Sequence, residues 1–387
     1  LPLPDIDLSR LIAHYRVRCS ERDIEAFAQS IALEQSVEVP MEVVREGFIR
    51  EHVVGTVRSI DGLAVGEYLL KVALAAETMD DHGSQADAAQ TFNMLFGNVS
   101  MHANVELVDV EFPKFFAQKF GGPRFGLEGL RGIAGASGRA LTCAALKPQG
   151  LPVDRLAEIC KTFALNGIDV IKDDHGLADQ HYSPFNERVR ACQKAVAEAN
   201  RQTGGHSIYA PSLVGSASRL FLQAKLLKGE GVGAALVAPS LVGLPLFHEL
   251  VSDHIGVPVL AHPSFSGAAR ISQPLLMGRF FRMLGADAVI YPHYMGRFAY
   301  PEALCSAIAK ECLAPWDGIK AAVPVPAGGM VLERVPELMR FYGRDAMLLI
   351  GGSLLKARDT NELAERTRAF VRGVAAAGAA ASSASAA

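Results

Sequence analysis

The stretch Gly167-Ile168-Asp169-Val170-Ile171-Lys172-Asp173-Asp174-His175 decides the fold. Residues 168–171 have strand character and run into a lysine, two carboxylates and an imidazole. A short apolar run of this kind reads as a buried parallel strand. A cation, two anions and a metal-type ligand at its carboxyl end are what a strand-end active site looks like in a barrel. The other reading is a loop start at which Lys172 and Asp174 pair in solvent.

The surroundings of the stretch favour the first reading. An apolar segment at 141–146 precedes a helical pattern at 154–165, and the segment at 168–171 precedes another at 185–199. The alternation continues with 207–210 and 216–228, 234–238 and 244–252, and 258–261 and 273–284. It ends with 287–291 and 302–312, 322–325 and 332–341, and 346–350 and 361–371. These eight strand–helix units predict a (β/α)8 TIM barrel over residues 136–374. No GxGxxG follows a first strand, as a dinucleotide-binding open sheet would require.

Upstream, residues 1–135 predict an α+β, ferredoxin-like N-terminal domain. Its strands are expected at 11–17, 51–60, 68–75 and 103–112, with a turn at Asp61-Gly62 and helices at 21–33 and 87–95. A Gly/Pro-dense stretch from Phe112 to Ala140 marks the connection. Residues 375–387, rich in Ala and Ser, are expected to be disordered.

Composition bounds the function. Half of the 387 residues are apolar and the formal net charge is −3, without long like-charge runs. Neither a nucleic-acid surface nor a membrane surface is expected. No apolar run approaches the roughly 18 residues of a membrane span, and no signal-peptide pattern is evident. The six cysteines, Cys19, Cys143, Cys160, Cys192, Cys305 and Cys312, are scattered without a CxxC pair. Buried free thiols in a reducing cytoplasm are expected.

The ends of the expected strands collect polar residues: Lys147-Pro148-Gln149, Lys172 to His175, His262-Pro263-Ser264, Tyr291-Pro292-His293, Gly328-Gly329 and Gly351-Gly352. The paired glycines either cradle a phosphate with backbone N–H groups or simply permit tight turns. Lys147 is either a base or a phosphate-binding point charge. His262 is either a proton carrier or a structural histidine. Asp174 and His175 with a third oxygen ligand would suit a divalent ion, whereas a protonated Lys172 has no lone pair to offer. His181, Tyr182 and Arg188 have no assigned role.

The Gly167–Asp174 stretch together with Lys147-Pro148 resembles the large subunit of RuBisCO, and more closely the RuBisCO-like proteins that do not fix CO2. Glu34, Ser36, Gly97-Asn98, Phe112-Pro113, Gly328-Gly329 and Gly351-Gly352 extend the resemblance over nearly the whole chain. It implies Mg2+ held by Asp174, the residue at 175 and Lys172 carbamylated by CO2. It further implies Lys147 as the base that forms an enediolate and His262 as a proton-handling group. Phosphate is expected at Gly329, Gly351 and Gly352. Homodimers with shared active sites are implied, with Asn98 helping to bind the metal or substrate from the other protomer and Glu34, a further substrate-binding candidate, at the same boundary.

The departures matter as much. His175 replaces a glutamate, so either a water intervenes between imidazole and Mg2+ or the site is biased towards Mn2+ or another imidazole-tolerant ion. Gln149, Pro263, Tyr291 and Ala327 stand where the family has a second lysine, an arginine, a histidine and a serine. Arg297 lies near the place of the loop lysine that covers CO2. One phosphate site survives, so a singly phosphorylated substrate is expected and carboxylation of a bisphosphate is not.

Arg297, His293 and Tyr291 at the mouth tilt this reading to a sugar-acid phosphate, 3-oxo-isoapionate 4-phosphate, undergoing decarboxylation or transcarboxylation–hydrolysis. The alternatives are methionine-salvage enolisation of 2,3-diketo-5-methylthiopentyl-1-phosphate or isomerisation of methylthioribulose phosphate. A non-catalytic binding or regulatory relative, for which His175 and Gln149 would speak, is the reading of another class.

Overall fold

The computed structural model describes residues 9–80 and 86–384. The chain divides into two compact units, Leu1–Gly121 with Gly267–Leu276, and Gly122–Ser266 with Met277–Ala387. The division therefore falls ahead of residue 135, the boundary expected from the Gly/Pro texture.

In the first unit, β1 (Arg10–Arg18), α1 (Ile24–Glu34), β2 (Thr56–Ala64), β3 (Glu67–Ala75), α2 (Ala88–Phe96) and β4 (Val105–Glu111) follow in order. The sheet order is β2-β3-β1-β4, with every ladder antiparallel. That is the βαββαβ arrangement of a ferredoxin-like layer. Asp87 caps α2 by accepting from the Gln90 N–H. The Tyr15 hydroxyl on β1 donates to the Leu95 carbonyl at 2.6 Å and fastens α2 to the sheet.

The hairpin turn is not at Asp61-Gly62, because β2 runs on to Ala64 and the chain reverses at Gly66, whose φ of 71° suits glycine. Residues 49–53 form a helical turn where the start of a strand was expected. The segment 267–276 joins this unit: Leu107 N–H donates to the Arg270 carbonyl, and Ser272 N–H to the Leu107 carbonyl.

The second unit opens with α3 (Gly126–Ala134) and then places all eight expected strands. They are β5 (Leu141–Leu146), β6 (Val170–Asp173), β7 (Ile208–Ala210), β8 (Ala235–Val237), β9 (Val259–Ala261), β10 (Ala288–Pro292), β11 (Val323–Ala327) and β12 (Met347–Leu349). Between them run α4 (Val153–Leu165), α5 (Phe185–Thr203), α6 (Ala217–Glu230), α7 (Pro239–Val242), α8 (Leu244–Glu249), α9 (Phe281–Met283), α10 (Glu302–Leu313) and α11 (Val335–Tyr342). The strands form two parallel four-stranded ladders, β12-β5-β6-β7 and β11-β10-β9-β8. A parallel bridge, Ser212 to Leu236, and a hydrogen bond from the Ala234 N–H to the Tyr209 carbonyl link the two at β7 and β8.

The last helix, α12 (Thr360–Ala384), extends through most of the tail expected to be disordered. Alanine has the highest helix propensity, and a helix already nucleated upstream adds alanines at little cost.

Side chains alternate across these strands. Leu141, Cys143, Ala145, Val170, Ile208, Ala210, Leu236, Leu260, Ala288, Ile290, Val325, Ala327 and Leu349 belong to one apolar cluster. Continuing that alternation by one step at the carboxyl ends brings Lys147, Lys172, His262, Gly329 and Gly351 onto the same face.

Candidate active site

β6 extends two residues further than the apolar run suggested, so Lys172 and Asp173 are strand residues. Lys172 (3% exposed) and Asp174 (4% exposed) share the inner parity, whereas Asp173 between them faces the helices. Lys147 Nζ donates to Asp174 Oδ2, and the Gly176 N–H donates to Asp174 Oδ1 at 2.9 Å. Lys172 Nζ donates to the Asp173 carbonyl at 2.7 Å. The solvated Lys172–Asp174 pair is thus corrected: Asp174 takes Lys147, and Lys172 is buried.

His175 and His262 stack face to face, with ring centroids 4.1 Å apart and planes 13° from parallel. The Ser264 N–H donates to His262 Nδ1 at 3.2 Å, which makes Nδ1 an acceptor and leaves the ring proton on Nε2. Burial is the main cause that lowers the His262 pKa, followed by Lys172, so the ring is neutral. Burial, then Lys172, Lys147 and Arg297, lower His175 to about 4. Burial also lowers Lys172 to about 8, and lowers Lys147 with help from the Arg297 cation.

Arg297 is held by its own N–H to the Gly328 carbonyl at 2.9 Å. A Cβ on Gly329 would come within 3.3 Å of the Arg297 side chain, and one on Gly351 within 4.0 Å of Lys147. Gly328 and Gly329 have φ of 90° and 108°, a backbone open to glycine and strained for other residues. Gly352 is exposed beside Gly351. The structure therefore brings Lys147, Lys172, Asp174, His175 and His262 together and puts Arg297 and the glycines near them.

His293 is a correction. It was expected at the mouth, but it is 2% exposed, and its Nδ1 lies 3.1 Å from the Tyr342 hydroxyl in the helix layer. Tyr291 turns the same way, with its ring 6.4 Å from that of Tyr342. Inner parity on β10 belongs to Ala288 and Ile290, so Tyr291 and His293 face out. Glu34 and Asn98 lie in the first unit, where Asn98 Nδ2 donates to Glu34 Oε1 at 2.8 Å.

Arg188, unassigned from sequence, is the support of the site. It is fully buried, and its Nε donates to Asp173 Oδ2 at 3.0 Å. The Tyr209 hydroxyl and the Ser212 N–H complete the coordination of Asp173 at 2.8 and 3.1 Å. With Asp173 pinned on the outer face, the flanking Lys172 and Asp174 are fixed on the inner one.

Among the described residues, no group of three or more His, Cys, Asp or Glu is placed to hold a metal ion. Asp174 offers oxygen and His175 offers nitrogen, whereas Lys172 as an ammonium offers no lone pair and as a carbamate would offer oxygen. These residues fit a divalent ion with Lys172 carbamylated, and burial of Lys172 favours the neutral amine that such a reaction needs. No helix among the described residues is long and apolar enough to cross a membrane. All six cysteines are free, and five are buried.

The family model of the ribulose bisphosphate carboxylase large chain, catalytic domain, matches residues 126–245. A 5-methylthioribulose-1-phosphate isomerase of Rhodospirillum rubrum is 48% identical over 95% of this chain and 96% of its own. A 2,3-diketo-5-methylthiopentyl-1-phosphate enolase of Geobacillus thermodenitrificans is 32% identical over 90% of this chain and 88% of its own. The crystal structure of a Rubisco-like protein from Rhodopseudomonas palustris superposes with a TM-score of 0.86 at 45% identity, covering 95% of this chain and 98% of that one.

The chain belongs to the RuBisCO large-chain family, among its RuBisCO-like members. Its similar relatives are named as an isomerase and an enolase of methylthio-sugar phosphates. Those names favour the methionine-salvage alternatives over the 3-oxo-isoapionate 4-phosphate reading preferred from sequence.

Proposed function

We propose that the protein is a metal-dependent isomerase of a singly phosphorylated ketose, with 5-methylthioribulose 1-phosphate as its substrate. The observation that carries this reading is the 48% identity to the Rhodospirillum rubrum protein of that name across nearly the full length of both chains. In this reading the two four-stranded ladders are halves of one (β/α)8 barrel, and the site is its mouth.

A ketose isomerase takes a proton from the carbon beside the carbonyl and returns one elsewhere on the enediolate. Lys147 is the base in its neutral amine form, which burial and then the Arg297 cation favour, and its half-buried side chain is able to swing off Asp174 towards a ligand. Neutral His262 presents its Nε2 proton to the oxygen that gains charge, with Ser264 holding the tautomer. Arg297 and the backbone at Gly329, Gly351 and Gly352 take the phosphate. Asp174, His175 and carbamylated Lys172 would hold Mg2+ or Mn2+, which supplies polarisation of the ketone oxygen. Glu34 and Asn98 complete the site of a second copy in a cytoplasmic homodimer.

The test is incubation of the protein with Mg2+ or Mn2+ and 5-methylthioribulose 1-phosphate, followed by proton and phosphorus NMR. Conversion to an isomeric ketose phosphate supports the proposal. Turnover of 2,3-diketo-5-methylthiopentyl-1-phosphate instead would select the enolase, the second reading carried by the 32% relative. CO2 release from 3-oxo-isoapionate 4-phosphate, with neither of the others converted, would restore the sequence-based choice.

A further inference from the structure

The loop after α1 holds a backbone conformation that sequence gives no reason to expect. Glu38 has a φ of 55°, in the left-handed region where glycine or asparagine is usual, although its side chain is exposed and fills no core. The N–H groups of Ser36, Val37 and Glu38 all converge on the Leu33 carbonyl, at 3.1, 2.9 and 2.9 Å. This tight end to the helix turns the Glu38 carboxylate back to Asn98, whose Nδ2 donates to Glu38 Oε1 at 3.1 Å. Strain of this kind at an exposed side chain points to a role for that side chain.

Asn98 is then held by two carboxylates, and the backbone beside it by Gln35. Its Nδ2 donates to Glu34 as well as to Glu38. Gln35, which is 2% exposed, accepts from the Val99 N–H through Oε1 at 3.1 Å. The same Gln35 donates to the Asn93 and Met94 carbonyls at 3.1 and 2.7 Å. The orientation of the Asn98 amide follows from charge, because an oxygen facing two carboxylates would be repelled. An amide nitrogen has two hydrogens, and here one goes to each carboxylate. The donor capacity of Asn98 is therefore spent, and only its carbonyl oxygen remains to meet a ligand.

We infer that Glu38 is a positioning residue that, with Glu34, locks Asn98 as a hydrogen-bond acceptor. The substrate group Asn98 takes is a hydroxyl of the sugar chain, never the phosphate, which two nearby carboxylates also repel. The inference rests on the reading above that Asn98 touches substrate.

Three variants separate the possibilities, assayed with 5-methylthioribulose 1-phosphate. Glu38→Gly relieves the backbone strain and removes the carboxylate, so the melting temperature holds or rises while kcat/KM falls by about tenfold. Glu38→Gln keeps an acceptor for Asn98 and stays within about threefold of wild type. Asn98→Ala loses at least as much as Glu38→Gly. Asparagine-labelled 15N spectra give a readout independent of turnover: Glu38→Gly shifts the Asn98 side-chain NH2 pair and speeds its exchange, and Glu38→Gln does not. Full activity in Glu38→Gly beside a damaged Asn98→Ala overturns the role of Glu38 and leaves the substrate reading intact. Full activity in Asn98→Ala overturns that reading and this inference with it. An unmoved Asn98 NH2 pair in Glu38→Gly overturns the lock whatever the substrate.

Discussion

Asp173, the last residue of β6, and Asp174, which follows it, are consecutive buried carboxylates that live by opposite rules. Asp173, on the outer face, is satisfied by Arg188, the Tyr209 hydroxyl and the Ser212 N–H, and Arg188 in turn donates to the Ser183 and Ala178 carbonyls. Every charge there has a fixed partner. Asp174, on the inner face, has one backbone N–H, a lysine whose side chain is 37% exposed, and the half-buried His175 ring with Nδ1 3.5 Å from Oδ1. Two residues before Asp174, the almost fully buried Lys172 amine has, among the described residues, only the Asp173 carbonyl as hydrogen-bond partner. The outer face holds the strand together, and the inner face keeps charges short of partners, as a site awaiting a ligand must.

A change on each face should separate stability from turnover. Arg188→Ala leaves Asp173 buried without a counter-ion, and the unfolding free energy in urea should fall by about 3–5 kcal/mol. Activity should be lost along with it, because the register of Lys172 and Asp174 depends on that anchor. Asp174→Asn should cost about 10²–10³-fold in turnover. Its stability should stay within about 1 kcal/mol of wild type, since the freed Lys147 can reach water. Comparable losses of stability in both variants would break the contrast between the faces.

His293 sharpens the same comparison at a second strand. It has outward parity and belongs with Asp173 rather than with Asp174. His293→Phe should leave turnover within about threefold and cost about 1 kcal/mol for the lost hydrogen bond to the Tyr342 hydroxyl. A large loss of turnover with little change in stability would return His293 to the site.

What could be read from the sequence follows this division. The strand–helix rhythm located all eight strands of the second unit, because short apolar runs and amphipathic helices are local signals. Lys147, Lys172, Asp174 and His262 could be named because each follows such a run at its carboxyl end. His293 was misplaced because Val289, Ile290 and Tyr291 are apolar on both faces of β10, and an unbroken apolar run carries no parity. Arg188 went unassigned because its partner lies 15 residues away across a loop, and nothing local marks the pairing. The joining of residues 267–276 to the edge of β4 is long-range for the same reason. The positive φ of Glu38 was hidden because glutamate is not a residue that signals such a turn.

The central claim is that Lys147, on the inner face, moves the proton. The direct test is the rate at which the proton beside the carbonyl of 5-methylthioribulose 1-phosphate is lost, followed by proton NMR with divalent metal for wild type and Lys147→Ala. Loss is expected in wild type, with a rate about 10²–10⁴-fold lower in a still-folded Lys147→Ala. Equal rates in the two proteins would contradict it.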